Sequence, residues 1–149
     1  MAIENPAFNI KAVPCLAGAI TASANGKSID ALGAAAVAFV YQFGTTTSGT
    51  SGTVTLSLEE SSDDSSFSPI SGATTTALTT DSGGQSAKRA CVSVSMIGRK
   101  RYIRGVLTVA GTVSTAATGP QNAAGVLMAG NLSQSIKSTD FDTFIAATV

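Results

Sequence analysis

The stretch Thr53–Ile70, TVTLSLEESSDDSSFSPI, decides the fold class. Val54, Leu56 and Leu58 alternate with Thr55, Ser57 and Glu59, the period-two pattern of a half-buried β-strand. The strand runs into a polar segment holding Glu59, Glu60, Asp63, Asp64 and four serines. Phe67, Pro69 and Ile70 then restart an apolar segment, so the Ser/Asp cluster is a hairpin turn or loop. Nothing in the block has the make-up of a reaction centre; it has the make-up of a sandwich strand ending at a surface.

Working outward, the same signals recur. Leu16–Ser23 is a candidate strand, and Asn25-Gly26 after it is a strong turn signal, because both residues tolerate positive φ. In Ala35–Phe43, residues Val37, Phe39, Tyr41 and Phe43 share one face and Ala36, Ala38 and Val40 the other, which predicts a central strand buried on both sides. Residues 44–52, GTTTSGTSG, are a flexible loop, and Thr74–Thr80 is a threonine-rich strand. Cys91–Met96 and Tyr102–Val109 alternate again, and Gly125–Ala129 is a short apolar strand. The count predicts an all-β single β-sandwich, jelly-roll-like, with seven to nine short antiparallel strands. Pro6 and Pro14 break regular structure near the start, so residues 1–15 are expected to form an N-terminal arm, 16–130 the β-sandwich domain and 131–149 a C-terminal arm, the last as a short helix or a strap.

Composition narrows the function classes. A chain of 149 residues suits one domain with its own core. Charged residues are 12%, about half the usual share, and the formal net charge is zero, both of which favour assembly over a well-protected monomer. No run of eighteen apolar residues exists, so no membrane span is expected, and the N-terminus lacks the layout of a secretory signal. Catalytic triads need a base, usually histidine, and the chain has none, so no enzyme activity and no catalytic residue is expected. Cys15 and Cys91 have no CxxC spacing and no histidine partners, which removes a zinc site and leaves two buried thiols acting as small hydrophobes, or a disulfide if they prove close.

Two charge clusters are candidate sites. Adjacent carboxylates at Glu59/Glu60 and Asp63/Asp64 do not fit a glycosidase, which needs two carboxyls across a cleft. The spacing does not fit a calcium loop either, since no glycine lies inside it. Lys88, Arg89, Arg99, Lys100, Arg101 and Arg104 supply six of the nine basic residues, yet the neutral chain does not resemble a dedicated nucleic-acid binder. The acidic and basic clusters can pair within the sheet or across a subunit interface, and the residues alone leave both open. No cofactor, metal or catalytic site is expected, and neither nucleic acid nor membrane is expected as a partner.

Two motifs in order, Leu58–Phe67 (LEESSDDSSF) and Arg101–Gly111 (RYIRGVLTVAG), carry a resemblance to a family. The chain resembles small virion proteins of tailed bacteriophages, namely capsid decoration, cement or head-stabilisation proteins. Those proteins carry a LEESDDGSSF-like strand and turn followed by an RYIRLVLTVAG-like strand. The resemblance spans roughly Ala19–Gly130, and the family's turn glycine falls on Asp64. It implies a non-enzymatic virion structural protein on the outer capsid surface, made in the host cytoplasm. The implied partners are the major capsid protein and other copies of the chain, often as a homotrimer. A tail or head–tail connector protein of the same particle is the alternative. A carbohydrate- or host-binding module is the alternative from another class, and it needs an exposed aromatic platform that only Phe67 and Tyr102 are free to supply.

Overall fold

The computed structural model describes residues 10–18, 22–42, 52–80, 89–111, 123–130 and 143–147. In chain order the strands are β1 (Ile10–Gly18), β2 (Ala24–Asp30), β3 (Ala36–Gln42), β4 (Gly52–Ser61) and β5 (Ser68–Thr74). They continue as β6 (Leu78–Thr80), β7 (Arg89–Ser95), β8 (Tyr102–Gly111), β9 (Ala123–Gly130) and β10 (Thr143–Ala147). One sheet has the order β1-β9-β3-β7-β10; the other has β2-β8-β4-β5, with β6 also on β4.

The alternation in the sequence is realised as burial. Along β4, Val54, Leu56 and Leu58 are fully buried and Thr53, Thr55 and Ser57 are half-buried. Ile29, Ile103 and Leu107 join them from the same sheet, and Val37, Phe39, Tyr41, Val92 and Val94 meet them from the other. The Phe39 and Tyr41 rings, two residues apart on one face, pack edge to face at 6.1 Å. Ala38 and Cys91 are also fully buried, although they alternate with that core face, so β3 is covered at its centre on both sides.

Treated as one interrupted strand, β5 and β6 reveal the wiring. The first half of the chain pairs antiparallel with the second in mirrored order: β1 with β9, β2 with β8, β3 with β7, and β4 with β5 and β6. This is one long hairpin rolled into two sheets, the jelly roll. The acidic segment between β4 and β5 is the bend of that hairpin. At the interruption, Thr75 donates its backbone N–H to the Leu56 carbonyl and accepts the Leu56 N–H on Oγ1, so the ladder is bridged by a side chain.

The structure departs from the sequence reading in four places. Asn25-Gly26 is not a turn but lies inside β2, where the register shifts between Asn25 and Ser28. Gly26 is there for space: a Cβ would come within 2.9 Å of the Gly105 carbonyl oxygen and 3.1 Å of the Cys15 Cβ. The first strand runs over Ile10–Gly18 and not Leu16–Ser23, so Ile10–Cys15, read as arm, lie in the sheet. The described residues hold ten strands, not seven to nine, and β10 adds parallel to β7 instead of antiparallel. Within the C-terminal arm, Thr143–Ala147 is therefore neither helix nor free strap; residues 1–9, 19–21, 43–51 (Phe43 among them), 81–88, 112–122, 131–142 and 148–149 lie outside the described residues.

The cysteines are both buried thiols. They sit on β1 and β7 with β9 and β3 between, about 14 Å apart at ordinary strand spacing, beyond disulfide reach. Burial pushes the Cys91 thiol up to about 12, consistent with its role as a small core hydrophobe.

Gly105 sets the tightest packing constraint. A Cβ on it would sit 2.7–2.8 Å from three carbons of the Phe39 ring. Gly105→Ala is expected to lower the unfolding free energy by about 1–3 kcal/mol through overpacking. Phe39→Leu in that background is expected to recover part of the loss, and a double-mutant cycle in urea denaturation checks the coupling.

Candidate functional site

Three turns meet at one end of the sandwich. They are the β2–β3 turn (Ala31–Ala35), the acidic β4–β5 segment (Ser62–Phe67) and the β7–β8 turn (Met96–Arg101). The register makes them neighbours, because Tyr102 pairs with both Asp30 and Ser61, and Ala36 pairs with Ser95. The acidic and basic clusters of the sequence are thus brought to the same place, and they pair within the chain.

Glu59 and Arg104 face each other across β4 and β8. Arg104 Nε and Nη2 reach Glu59 Oε2 at 2.8 and 2.6 Å, and the guanidinium lies 4.2 Å over the Phe67 ring. Glu60 accepts the Lys100 backbone N–H at 3.2 Å and stands 4.0 Å from Arg99 Nη1. Asp30 takes a two-pronged bond from Arg101, Nε to Oδ1 at 3.0 Å and Nη2 to Oδ2 at 2.7 Å, a geometry matched to the planar guanidinium. Asp30 Oδ1 also accepts the Leu32 N–H at 3.1 Å. One carboxylate therefore ties the β2–β3 turn to the β7–β8 turn. Lys88 lies outside the described residues, and Arg89 opens β7 at the strand's far end, so the six basic residues do not form one patch.

The acidic bend is held by its own side chains. Asp63 Oδ1 accepts from Ser61 Oγ at 2.7 Å and from the backbone N–H groups of Ser65 and Ser66 at 3.0 and 2.8 Å. This is the short-range capping that makes Asp and Ser turn residues. Those donors, the Ser61 hydroxyl first, hold the Asp63 carboxyl well below the usual carboxylate range. Asp64 has φ of 58°, the left-handed region that glycine adopts without cost, and its Oδ1 accepts the Ser28 hydroxyl. Aspartate is one of the few residues that visits this region routinely, so Asp64 fills the place of the glycine in the resembled motif. Asp63 thus serves the bend, and the two carboxylate pairs do not converge on a common point.

Two further side chains at this end were not singled out by sequence reading. Leu32 is 74% exposed and Ile97 is 76% exposed, the large apolar side chains most open to solvent among the described residues. Each is the first corner of a tight turn. The bonds are Ala34 N–H to the Ala31 carbonyl and Arg99 N–H to the Met96 carbonyl, with Gly33 and Gly98 at φ of 80° and 70° as the second corners. Positive φ at the second corner alone defines the type II turn. The signal available in the sequence was the pair of Leu-Gly and Ile-Gly dipeptides ahead of strands.

A platform of aromatic side chains does not form from the candidates. Phe39 and Tyr41 are in the core, Arg104 covers Phe67, and Arg101 lies 5.1 Å over Tyr102.

Comparison with known proteins adds the following. No protein-family model matches the chain, and no curated protein matches it. Among solved structures it is similar to the PBSX exported protein XepA, with a TM-score of 0.46 and 16% identity over 91% of this chain and 42% of that one. It is also similar to a structure from infectious bursal disease virus, Gx strain, with a TM-score of 0.46 and 13% identity over 86% of this chain and 33% of that one. The chain spans less than half the length of either.

Two expectations follow from the site. Asp30 is held at about 2 against an ordinary 3.8, chiefly by the bond from Arg101 and then by the Leu32 N–H. A carboxyl lowered in the folded state contributes stability that is complete above its ordinary value and is lost as pH falls through the folded one. The urea midpoint is expected to hold from pH 7 to about 5 and to fall between about pH 4 and 2, less steeply in Asp30→Asn and Asp63→Asn. In the bend, Asp64→Gly is expected to fold normally, whereas Asp64→Val is expected to lose about 1–2 kcal/mol because a β-branched residue is forced into left-handed backbone, as thermal unfolding will read.

Proposed function

We propose that this chain is a non-enzymatic structural protein of a virus particle, a capsid cement or decoration protein. In this reading it binds the outer surface of the major capsid protein shell as a homo-oligomer, a trimer being the expected form, and stabilises the shell. The observation that carries the proposal is the pairing of β4 with β8. The two motifs behind the phage resemblance, Leu58–Phe67 and Arg101–Gly111, lie 43 positions apart in the sequence (58 to 101), yet they form one unit. Leu58 pairs with Gly105, Glu59 with Arg104, and the Arg104 side chain closes over Phe67 at the end of the bend. A resemblance resting on two separate pieces therefore rests on one contiguous structural element.

The rest of the molecule supports the same reading. The chain carries few charges, and those at the described end are largely spent on one another, which leaves little long-range repulsion between copies. Many identical contacts on a shell turn weak individual binding into firm attachment, so such a protein needs modest contact surfaces and no active site.

The test is whether the chain travels with a shell. Intact particles purified from cells that carry the gene are expected to contain it in fixed proportion to the major capsid protein, by mass spectrometry. Particles made without it are expected to lose integrity at lower temperature. Absence from purified particles would sink the proposal, and presence only in isolated tails or connectors would replace it with the connector reading.

A further inference from the structure

The twin turns pose a question that folding alone does not answer. A type II turn asks for glycine at its second corner and places no demand for an apolar side chain at its first, where proline is common. Both turns at this end nevertheless carry a large aliphatic residue there, Leu32 and Ile97, each about three-quarters exposed. Isolated exposed apolar residues are ordinary. Two of them on adjacent turns that are tied together are not isolated. The Ala31 N–H donates to the Arg101 carbonyl and the Met96 N–H to the Ala35 carbonyl, both at 2.9 Å, and Asp30 bridges Leu32 and Arg101.

Between the turns lies a hollow of about 250 Å³ with Ala31, Ala34 and Met96 in its lining and Arg99, Lys100 and Arg101 beside them. That volume falls below the ~300 Å³ where small-molecule sites begin, and suits a protruding side chain of another protein. The charges at its rim are uneven. Arg101 is neutralised by Asp30, and Arg99 stands near Glu60 with its buried Nε lacking a hydrogen-bond partner among the described residues. The Lys100 ammonium meets no carboxylate among the described residues and donates only to Ser68 Oγ, at 3.2 Å. The rim thus carries an excess positive charge beside the Leu32 tip, while Ile97 stands on the adjoining turn outside the lining.

We infer that this end of the sandwich is the docking face for the shell protein, and that the segment it takes presents an aliphatic side chain beside a carboxylate. The aliphatic group enters the hollow beside Leu32, with Ile97 on the neighbouring turn, and the carboxylate meets Lys100. Apolar centre and charged rim are the usual division of labour at protein interfaces, with the rim charge setting orientation and salt dependence. Because the two turns are bonded to each other before binding, little ordering remains to be done on contact. The inference rests on the capsid-binding reading above and names the surface that reading leaves unassigned.

The experiment is co-sedimentation of the full chain with shells lacking it, for wild type, Leu32→Ser/Ile97→Ser, Lys100→Glu and the mid-strand charge control Lys27→Glu. Each variant is first checked for wild-type thermal unfolding, which substitutions at exposed turn positions are expected to retain. The double variant is expected to weaken binding at least about tenfold. Lys100→Glu is expected to weaken it and flatten its salt dependence, and Lys27→Glu to leave it unchanged. If wild type binds and the folded double variant binds equally well, the docking face is overturned while the capsid reading stands. If wild type does not bind, the capsid reading fails first. If the double variant instead dissociates an oligomer of the free chain, by analytical ultracentrifugation, the occupant is a second copy and the inference is overturned.

Discussion

The structure depends on β4 lying beside β8. The two strands run antiparallel from Gly52 against Gly111 to Ser61 against Tyr102, without a register shift. Everything that gives the second sheet its place hangs on this pair: β2 on the outer side of β8, β5 and β6 on the outer side of β4. The pairing joins residues some forty to sixty positions apart, so its loop-closure cost must be met before its contacts form. The register is fixed at two neighbouring rungs. At one, Glu59 and Arg104 face each other under Phe67, and at the next Gly105 leaves the room into which the Phe39 ring of the opposite sheet fits. A slip by one residue would turn Leu56 and Leu58 out of the core and put a side chain where Gly105 must be.

This pairing also explains why the charges gather as they do. In a rolled hairpin the bend between β4 and β5 and the turn between β7 and β8 come to the same end, because β8 returns along β4. Acidic residues in one turn and basic residues in the other are thereby opposed within one chain. Sequence alone left open whether they pair within the sheet or between subunits. The geometry answers it for Glu59, Glu60 and Asp30, each with its arginine. Surface ion pairs of this kind contribute little stability singly, but they set the geometry of three turns at once.

Much of the fold was legible because burial in a sandwich has the strand's own period. Val54–Leu58 and Ile103–Leu107 are buried in alternation, and Val37–Tyr41, apolar on both faces, is buried on both at its centre. What escaped was whatever depends on distant neighbours. Asn25-Gly26 has the local chemistry of a hairpin turn, yet Gly26 is needed because the Gly105 carbonyl and Cys15 crowd it from strands far along the chain. The strand at Thr143–Ala147 owes its place to the edge of β7, which no local pattern announces. The site was legible only in halves: Leu32-Gly33 and Ile97-Gly98 can each be seen as a turn, but nothing local says that positions 65 apart (32 to 97) come to adjoining turns.

The edges of the two sheets bear on how such a molecule can associate. An exposed strand edge invites another strand, and natural sandwiches guard against this with proline, bulges and short edge strands. Among the described residues, the edge strands β1, β2, β5 and β10 each carry such a feature. β1 carries Pro14 and a register shift after it, and β2 is irregular between Asn25 and Ser28. β5 has Pro69, a positive-φ Gly72 and its own register shift, and β10 has five residues. Among the described residues, strand addition is thus disfavoured along β1, β2, β5 and β10. A protein with few charges and guarded edges associates through side chains if it associates at all, and Leu32, Ile97 and Lys100 are among the exposed side chains at the described end.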